Sequence, residues 1–249
     1  MFAARPLPVI RRLAPLVAVS GVAATLLLWA VLGADRPDSA ALPELVPVPM
    51  ADAAPLLVMK YEVSIAEWNR CFDDGACQLR LRAPSGLDPA DVPATGLSFV
   101  DAGEYVRWIN NRTGDAYRLP TVAEWKELAA PVLPDAPDPI FTDPTLTWAA
   151  AYLLEEQGER ALRARGSFST SPDGIADLDG SVWEWTQDCY PGTVGDDADR
   201  CPAYFVAGEH VAAMSFLVRD PARGGCAVGA PPAHLGIRLV KDVTPRTFG

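Results

Sequence analysis

The residues best suited to chemistry in this sequence are its cysteines and histidines. The cysteines are Cys71, Cys77, Cys189, Cys201 and Cys226, and the histidines are His210 and His234. Thiols and imidazoles can bind metals, act as nucleophile and base, or, for thiols, form disulfides. A zinc site is disfavoured because there are only two histidines and no CxxC pair. The chemistry open to the cysteines therefore depends on which of them are paired.

Cys71 and Cys77 bracket a short acidic turn, Phe-Asp-Asp-Gly-Ala. In an oxidising compartment this spacing predicts a small disulfide loop. Two of the other three cysteines are expected to pair, and a bond from Cys226 to Cys189 or Cys201 is favoured. The odd cysteine is then either buried and inert or a reactive thiol.

Cys226 and His234 are weak catalytic candidates. Together they could bind copper or form a nucleophile–base couple. Lone cysteines and histidines are more often structural, so no catalytic residue is assigned.

The N-terminal segment reads as a membrane anchor. Residues 13–34 carry no charge, and Arg11 and Arg12 stand just before them. Roughly 20 helical residues span the ~30 Å hydrocarbon core, and the positive-inside rule places the rest of the chain outside the cytoplasm. This predicts a cytoplasmic segment 1–12, a transmembrane helix 13–34 in a bacterial inner membrane and a single-pass topology with a periplasmic C-terminal domain. A cleaved signal peptide is the alternative, because Leu32-Gly33-Ala34 loosely resembles a cleavage site. Residues 35–55, rich in Pro, Ala and Asp, predict a tether.

The charge balance excludes one class of partner. The net charge is -11, and three arginines precede the apolar run. The remainder carries 18 basic against 32 acidic residues, a balance of about -14. Such a domain repels nucleic acid, so a DNA- or RNA-binding function is rejected.

Three helices are predicted from their N-terminal capping signals. Ser64 and Thr121 each precede a glutamate at the third helical position, and Ser98 precedes an aspartate there. Their hydroxyls satisfy backbone N–H groups that have no partner within the helix. Apolar runs at 181–186 and 235–240 predict strands. The expected class is α+β, with little regular secondary structure.

Several segments together resemble the formylglycine-generating enzyme (sulfatase-modifying factor) family. The most specific are RLPTVAEW at 118–125 and DLDGSVWEWT at 177–186. The others are YEVSIAEW at 61–68, PATGLSFVDA at 93–102, RGG at 223–225 and GIRL at 236–239. They occur in the family's order, so the resemblance covers a domain at about 56–242, with a tail at 243–249.

The resemblance implies a fold related to C-type lectins and a structural calcium site. The matching calcium ligands are Asp177, Gly180, Val182 and Glu184, of which Gly180 and Val182 act through backbone carbonyls. Carboxylate and carbonyl oxygens suit calcium. The alternative is an acidic turn in which the buried Glu184 satisfies neighbouring donors.

The resemblance also implies a copper oxidase, but the matching catalytic segment looks deleted. Active members carry two nearby cysteines after the glycine pair, whereas here Gly225 and Gly236 enclose ten residues with Cys226 as the one cysteine. Two thiolates cannot be made from one, so copper is not expected.

We therefore expect a catalytically degenerate module that binds a periplasmic protein or assists maturation of one, with a respiratory enzyme as one setting. The alternative is an active copper-dependent oxidase that forms formylglycine from a protein cysteine. A purely structural subunit of a membrane complex is a third interpretation.

Overall fold

The computed structural model describes residues 42–133, 161–190, 201–221 and 233–243. The chain divides after Leu42 into two compact units, and the second, from Pro43 onward, holds every described helix and strand. Within the described ranges no helix is long and apolar enough to cross a membrane. The predicted segments 1–12 and 13–34, and all but the first residue of the predicted tail 243–249, lie outside those ranges.

The three predicted helices are present and begin where their capping signals place them. They are α1 (Ile65–Asp73), α2 (Phe99–Thr113) and α3 (Val122–Ala129). Each begins with a complete capping box. The hydroxyl of the N-cap residue accepts a hydrogen bond from the backbone N–H of the third helical residue, and the carboxylate of that third residue accepts one from the backbone N–H of the N-cap residue. Helix α2 ends at Gly114, whose φ of 71° is the left-handed conformation that glycine adopts without strain.

The first sheet is three-stranded and antiparallel, in the order β1-β2-β7. Its strands are β1 (Leu45–Val48), β2 (Leu56–Met59) and β7 (Val240–Asp242). Strand β1 lies within the predicted tether 35–55, so that prediction is wrong over residues 45–48. The domain begins earlier than expected because Val48 and Met50 are buried in its core.

The second sheet has four strands in the order β5-β4-β3-β6. They are β3 (Val182–Cys189), β4 (Ala203–Ala207), β5 (Val211–Ser215) and β6 (His234–Gly236). Strands β3 and β6 are parallel, and the other pairs are antiparallel. The strand predicted at 181–186 is confirmed as β3. The single strand predicted at 235–240 is wrong, because its two ends belong to β6 and β7, in different sheets.

Aromatic residues fill much of the core between these elements. Trp68 of α1 stacks on Tyr105 of α2 with 5.7 Å between ring centroids. Trp185 of β3 is fully buried and donates its indole N–H to the Leu97 carbonyl at 2.7 Å. A second buried cluster contains Val58 and Trp125 and lies around β2 and α3. Helices and sheets thus share one domain, as the α+β class requires.

Candidate functional site

Four charged side chains are almost completely buried where the two sheets and helix α3 meet. They are Glu62, between β2 and α1; Asp177, before β3; Glu184, within β3; and Arg238, between β6 and β7. A buried charge is stable only when it is paired and hydrogen-bonded. The partners of each group therefore decide what the cluster can do.

Arg238 is the centre of this group. Its Nε donates to Glu184 Oε1 at 2.9 Å, and its Nη1 donates to the carbonyls of Met59 at 3.0 Å and Lys60 at 2.7 Å. Its Nη2 donates to the Ala176 carbonyl at 2.9 Å. Burial disfavours the charged guanidinium, but the attraction of the neighbouring glutamates is larger and raises the pKa of Arg238 above its ordinary value. The arginine therefore remains charged and ties the end of β2 to β3.

Glu184 uses both of its carboxylate oxygens within the protein. One accepts from Arg238, and the other accepts from the indole Nε1 of Trp125 at 2.8 Å. Trp125 belongs to the RLPTVAEW segment and Glu184 to DLDGSVWEWT, while Arg238 belongs to GIRL. Three of the segments that carry the resemblance therefore meet in one buried network.

Asp177 organises the turn that leads into β3. Its two carboxylate oxygens accept from the backbone N–H groups of Gly166 and Phe168, the latter at 2.9 Å. Its φ is 64°, the one positive φ of a non-glycine residue in the described ranges, a conformation that aspartate tolerates better than most residues. A Cβ on Gly180 would lie 2.9 Å from the Asp177 carbonyl oxygen, so this close turn requires glycine there.

Glu62 differs from the other three charged groups. Its Oε2 accepts no hydrogen bond within the described part of the chain and lies 3.5 Å from Arg238 Nη2. Burial raises its pKa; attraction by Arg238 opposes this, and repulsion by Glu184 adds to it. An ionised carboxylate oxygen without a donor is costly to bury, and the raised pKa therefore favours the protonated, neutral form of Glu62.

Three of the four predicted calcium ligands lie around one small cavity. Asp177, Gly180 and Val182 line a small cavity, and Glu62 lines it with them. Glu184 is not among its lining residues, and Arg238 and Trp125 already occupy its oxygens. In the described ranges no group of three or more His, Cys, Asp or Glu side chains is placed to hold a metal. Glu184 satisfies protein donors, as the alternative interpretation expects, and the calcium site with its four predicted ligands stays a prediction.

The predicted disulfide Cys71–Cys77 is present. The second disulfide joins Cys189 to Cys201, so the preference for a bond to Cys226 is wrong. The reason lies in the sheet: Cys189 ends β3, Cys201 shortly precedes β4, and these strands pair with Cys189 opposite Tyr204. The two Cα atoms are 5.7 Å apart, within the range that a disulfide spans.

Of the two weak catalytic candidates, the described residues include His234 and not Cys226. His234 is the first residue of β6 and lies opposite Val182 of β3 in the parallel register. Cys226 lies outside the described residues. Their proximity therefore stays a prediction.

Sequence reasoning missed the parts played by Glu62, Trp125 and Arg238. Arg238 did carry a signal, since it is one charge in an apolar stretch, Ile-Arg-Leu-Val. Such a residue is buried only when paired, because desolvation of an isolated charge is costly. Its partner could not be inferred, because Glu184 is 54 positions away in sequence.

The domain is thus an α+β unit with two small sheets. Two disulfides cross-link it, and a buried arginine–glutamate pair lies at its centre. A model of the family described as sulfatase-modifying factor enzyme 1-like domain matches residues 30–243. The chain belongs to this family, which confirms the resemblance inferred from its motifs.

Individual relatives agree with this assignment. The formylglycine-generating enzyme of Mycobacterium tuberculosis (strain ATCC 25618 / H37Rv) is 26% identical over 214 residues, which cover 72% of this chain and 69% of that protein. The structure of PvdO from Pseudomonas aeruginosa matches with a TM-score of 0.52 and 17% identity, covering 84% of this chain and 100% of that one. CarF matches with a TM-score of 0.50 and 16% identity over 82% of this chain and 100% of its own. At these identities the two structures support the fold alone.

Proposed function

We propose that this chain is a non-catalytic member of its family, a displayed module that binds a periplasmic protein or assists its maturation. One observation carries the proposal. The chain has five cysteines, and the two disulfides use four of them, which leaves Cys226 as the remaining thiol. A pair of soft thiolates is what a Cu(I) site of the family's oxidase type needs.

The disulfides also support an exported location. Disulfides persist in oxidising compartments such as the periplasm and are rare where thiols are kept reduced. The uncharged run 13–34 behind Arg11 and Arg12 supports anchorage in the inner membrane with the domain outside. This placement makes a periplasmic protein the natural partner, and a respiratory enzyme under assembly is one candidate.

The second candidate function is an active copper-dependent oxidase that forms formylglycine from a protein cysteine. Family membership and the relative named formylglycine-generating enzyme favour it. With one thiol available, Cys226 would need a different second ligand, and His234 is the nearest candidate along the chain. The two functions thus differ in whether Cys226 binds copper.

The test is a Cu(I) competition titration on the full chain in detergent. A chromophoric Cu(I) chelator reports how much copper the protein removes, and the variant Cys226→Ser serves as the matched control. The non-catalytic module predicts no tight stoichiometric copper and identical curves for both proteins. One equivalent of Cu(I) bound by the wild type and lost in Cys226→Ser, together with oxygen uptake on a cysteine peptide, would establish the oxidase instead.

A further inference from the structure

The two disulfides of the domain lie in different surroundings. Cys71 is 0% exposed and Cys77 is 2% exposed, and both belong to the buried cluster that contains Trp68. Cys189 is exposed at the end of β3, and Cys201 is half-buried shortly before β4. A reagent in solution can therefore reach the second disulfide directly, whereas it reaches the first only when the core opens.

Access decides whether a disulfide exchanges with thiols. A thiolate opens a disulfide by attacking one of its two sulfur atoms, which gives a mixed disulfide, so the attacked sulfur must be reachable. Exposed disulfides are for this reason the labile ones. Because Cys189 is the most exposed of the four paired cysteines, its sulfur is the point of attack.

Contacts other than the S–S bond hold the ends of β3 and β4 together. Cys189 lies opposite Tyr204 in the sheet register, and the Tyr190 N–H donates to the Ala203 carbonyl at 2.9 Å. The Tyr190 ring also lies edge-on to the Phe205 ring, with 5.6 Å between centroids. These contacts keep the strand ends paired when the bond is open, so the fold should survive reduction and the same two cysteines can pair again.

The start of helix α3 is a second support for the end of β3. The Gln187 N–H donates to the Pro120 carbonyl at 2.9 Å, and the Asp188 carboxylate accepts from the N–H of Val122, the first residue of α3. Cys189 thus follows a stretch of backbone that α3 fixes as well as β4. Reduction should therefore leave the position of β3 unchanged.

We propose that Cys189–Cys201 is a thiol-exchange site whose reactant is a dithiol, and that Cys71–Cys77 is a permanent cross-link that does not exchange in the folded domain. The site gives one fold two redox states, with the strand ends either cross-linked or carrying two thiols. It needs neither Cys226 nor copper, so it does not depend on the function proposed above.

The exchange proceeds in two steps. A thiolate of the dithiol attacks Sγ of Cys189 and forms a mixed disulfide, and Cys201 leaves as a thiolate with the electron pair of the broken S–S bond. The second thiolate of the dithiol then attacks the sulfur of the mixed disulfide that belongs to the dithiol, which closes the dithiol's own disulfide and releases Cys189 as a thiolate. The two released thiolates take up the two protons that the dithiol lost. Two electrons thus pass from the dithiol to the protein, and the reverse reaction closes the bond again.

The experiment is partial reduction of the native full chain in detergent by dithiothreitol. At each time point the free thiols are blocked with one maleimide, and the remaining disulfides are then reduced in denaturant and labelled with a heavier one. Peptide mass spectrometry gives the reduced fraction at each cysteine. Cys189 and Cys201 should become reduced together, about tenfold or more faster than Cys71 and Cys77.

The same reduction in denaturant is the matched control. Denaturant removes the protection that the fold gives to Cys71–Cys77, so the two disulfides should then be reduced at similar rates. Near-ultraviolet circular dichroism of the native chain should keep its aromatic signal while Cys189–Cys201 alone is open. Glutathione disulfide, added after removal of dithiothreitol, should close the bond again.

Two single variants compare the sulfur atoms directly. Cys201→Ser leaves Cys189 as an exposed thiol, and Cys77→Ser leaves Cys71 as a buried one. With a pyridyl disulfide reagent, Cys189 should form a mixed disulfide in the native protein about tenfold or more faster than Cys71. If Cys77→Ser does not fold, the reduction rates of the wild type decide alone.

Three results would overturn the proposal. The first is reduction of the two disulfides at equal rates in the native chain, or faster reduction of Cys71–Cys77. The second is loss of the aromatic signal when Cys189–Cys201 alone is open. The third is a failure of glutathione disulfide to close the bond again.

Discussion

Trp125 of helix α3 donates its indole N–H to Glu184 of strand β3 at 2.8 Å, although the two residues are 59 positions apart in sequence. Both side chains are almost completely buried. The bond completes the set of donors around Glu184, whose other oxygen accepts from Arg238. The family segments that contain these residues therefore form part of the buried interior. Their role at these positions is structural.

Replacing Trp125 by Phe should destabilise the domain, because it leaves a buried Glu184 oxygen without its donor. The matched control is Trp108→Phe, which loses the same indole N–H from a bond to Asp74, a side chain that is 46% exposed and can be rehydrated. We expect Trp125→Phe to lose about 1–3 kcal/mol more free energy of unfolding than Trp108→Phe in denaturant titrations. Equal losses in the two variants would contradict this interpretation of the buried bond.

Replacing Arg238 by Met should be far more damaging. It leaves Glu184 and Glu62 buried without a positive charge, and breaking a buried pair in this way costs about 3–5 kcal/mol. Arg80→Met, which removes an exposed ion pair with Asp73, should change stability by about 1 kcal/mol or less. The double variant Glu184→Gln with Arg238→Met should be more stable than Arg238→Met alone. A double variant no more stable than that single one would show that packing, and not charge, dominates at Arg238.

The pair Asp101–Arg219 should make stability depend on pH on the acid side. Burial raises the pKa of Asp101, but hydrogen bonds from Arg219, at 2.7 Å to each carboxylate oxygen, and from Ser98 outweigh it and lower the pKa. The folded state then binds fewer protons than the unfolded state, so the stabilisation is present above the unfolded pKa of about 3.9 and is lost as pH falls through the lower folded value.

Unfolding measured between about pH 2 and 6 checks this linkage, a range set by the ordinary aspartate pKa. The wild type should have a higher free energy of unfolding than Asp101→Asn, and this difference should shrink as pH falls. The variant Arg219→Gln should reduce the pH dependence. High salt should weaken it too, because Arg219 is half exposed. A difference that stays constant with pH would contradict the prediction, because the ionisation of Asp101 would then contribute nothing to stability.

Two glycine-to-alanine variants should have opposite effects. A Cβ on Gly208 would lie 2.5 Å from the indole of Trp183, so Gly208→Ala should overpack the core and cost about 1–3 kcal/mol. Gly103 is inside α2, and a Cβ there meets only the end of the Arg107 side chain at 3.4 Å. Gly103→Ala should therefore stabilise by about 0.5–1 kcal/mol, and melting temperatures of the two variants on either side of the wild type would confirm both.

Local signals predicted the helices well. Ser64, Ser98 and Thr121 each mark a helix start that depends only on residues within one turn, so the sequence nearby suffices. Strand β1 was missed because Pro47 and Pro49 suggest an irregular tether. Proline is tolerated there because β1 is the edge of its sheet, where a missing N–H leaves no ladder bond unmade.

Relationships distant in sequence could not be predicted. The stretch around Ile237 reads as one strand, but its ends pair with β3 and β2 in different sheets. The partner of Cys189 is set by the pairing of β3 with β4, which the sequence alone does not reveal. The sequence indicated Asp177 and Glu184 as members of a site. It did not indicate Glu62 and Arg238, because their contacts depend on four segments that are distant in sequence and meet only in the folded domain.

The central claim is that this chain has a single thiol and so lacks the cysteine pair of a copper oxidase. The most direct test is alkylation of the denatured, unreduced full chain with a maleimide, with intact-mass and peptide mass spectrometry as the readout. We expect one label, on Cys226, and five labels after reduction. Three labels that include Cys189 and Cys201 would contradict the claim, because the protein would then have enough free thiols for a Cu(I) site.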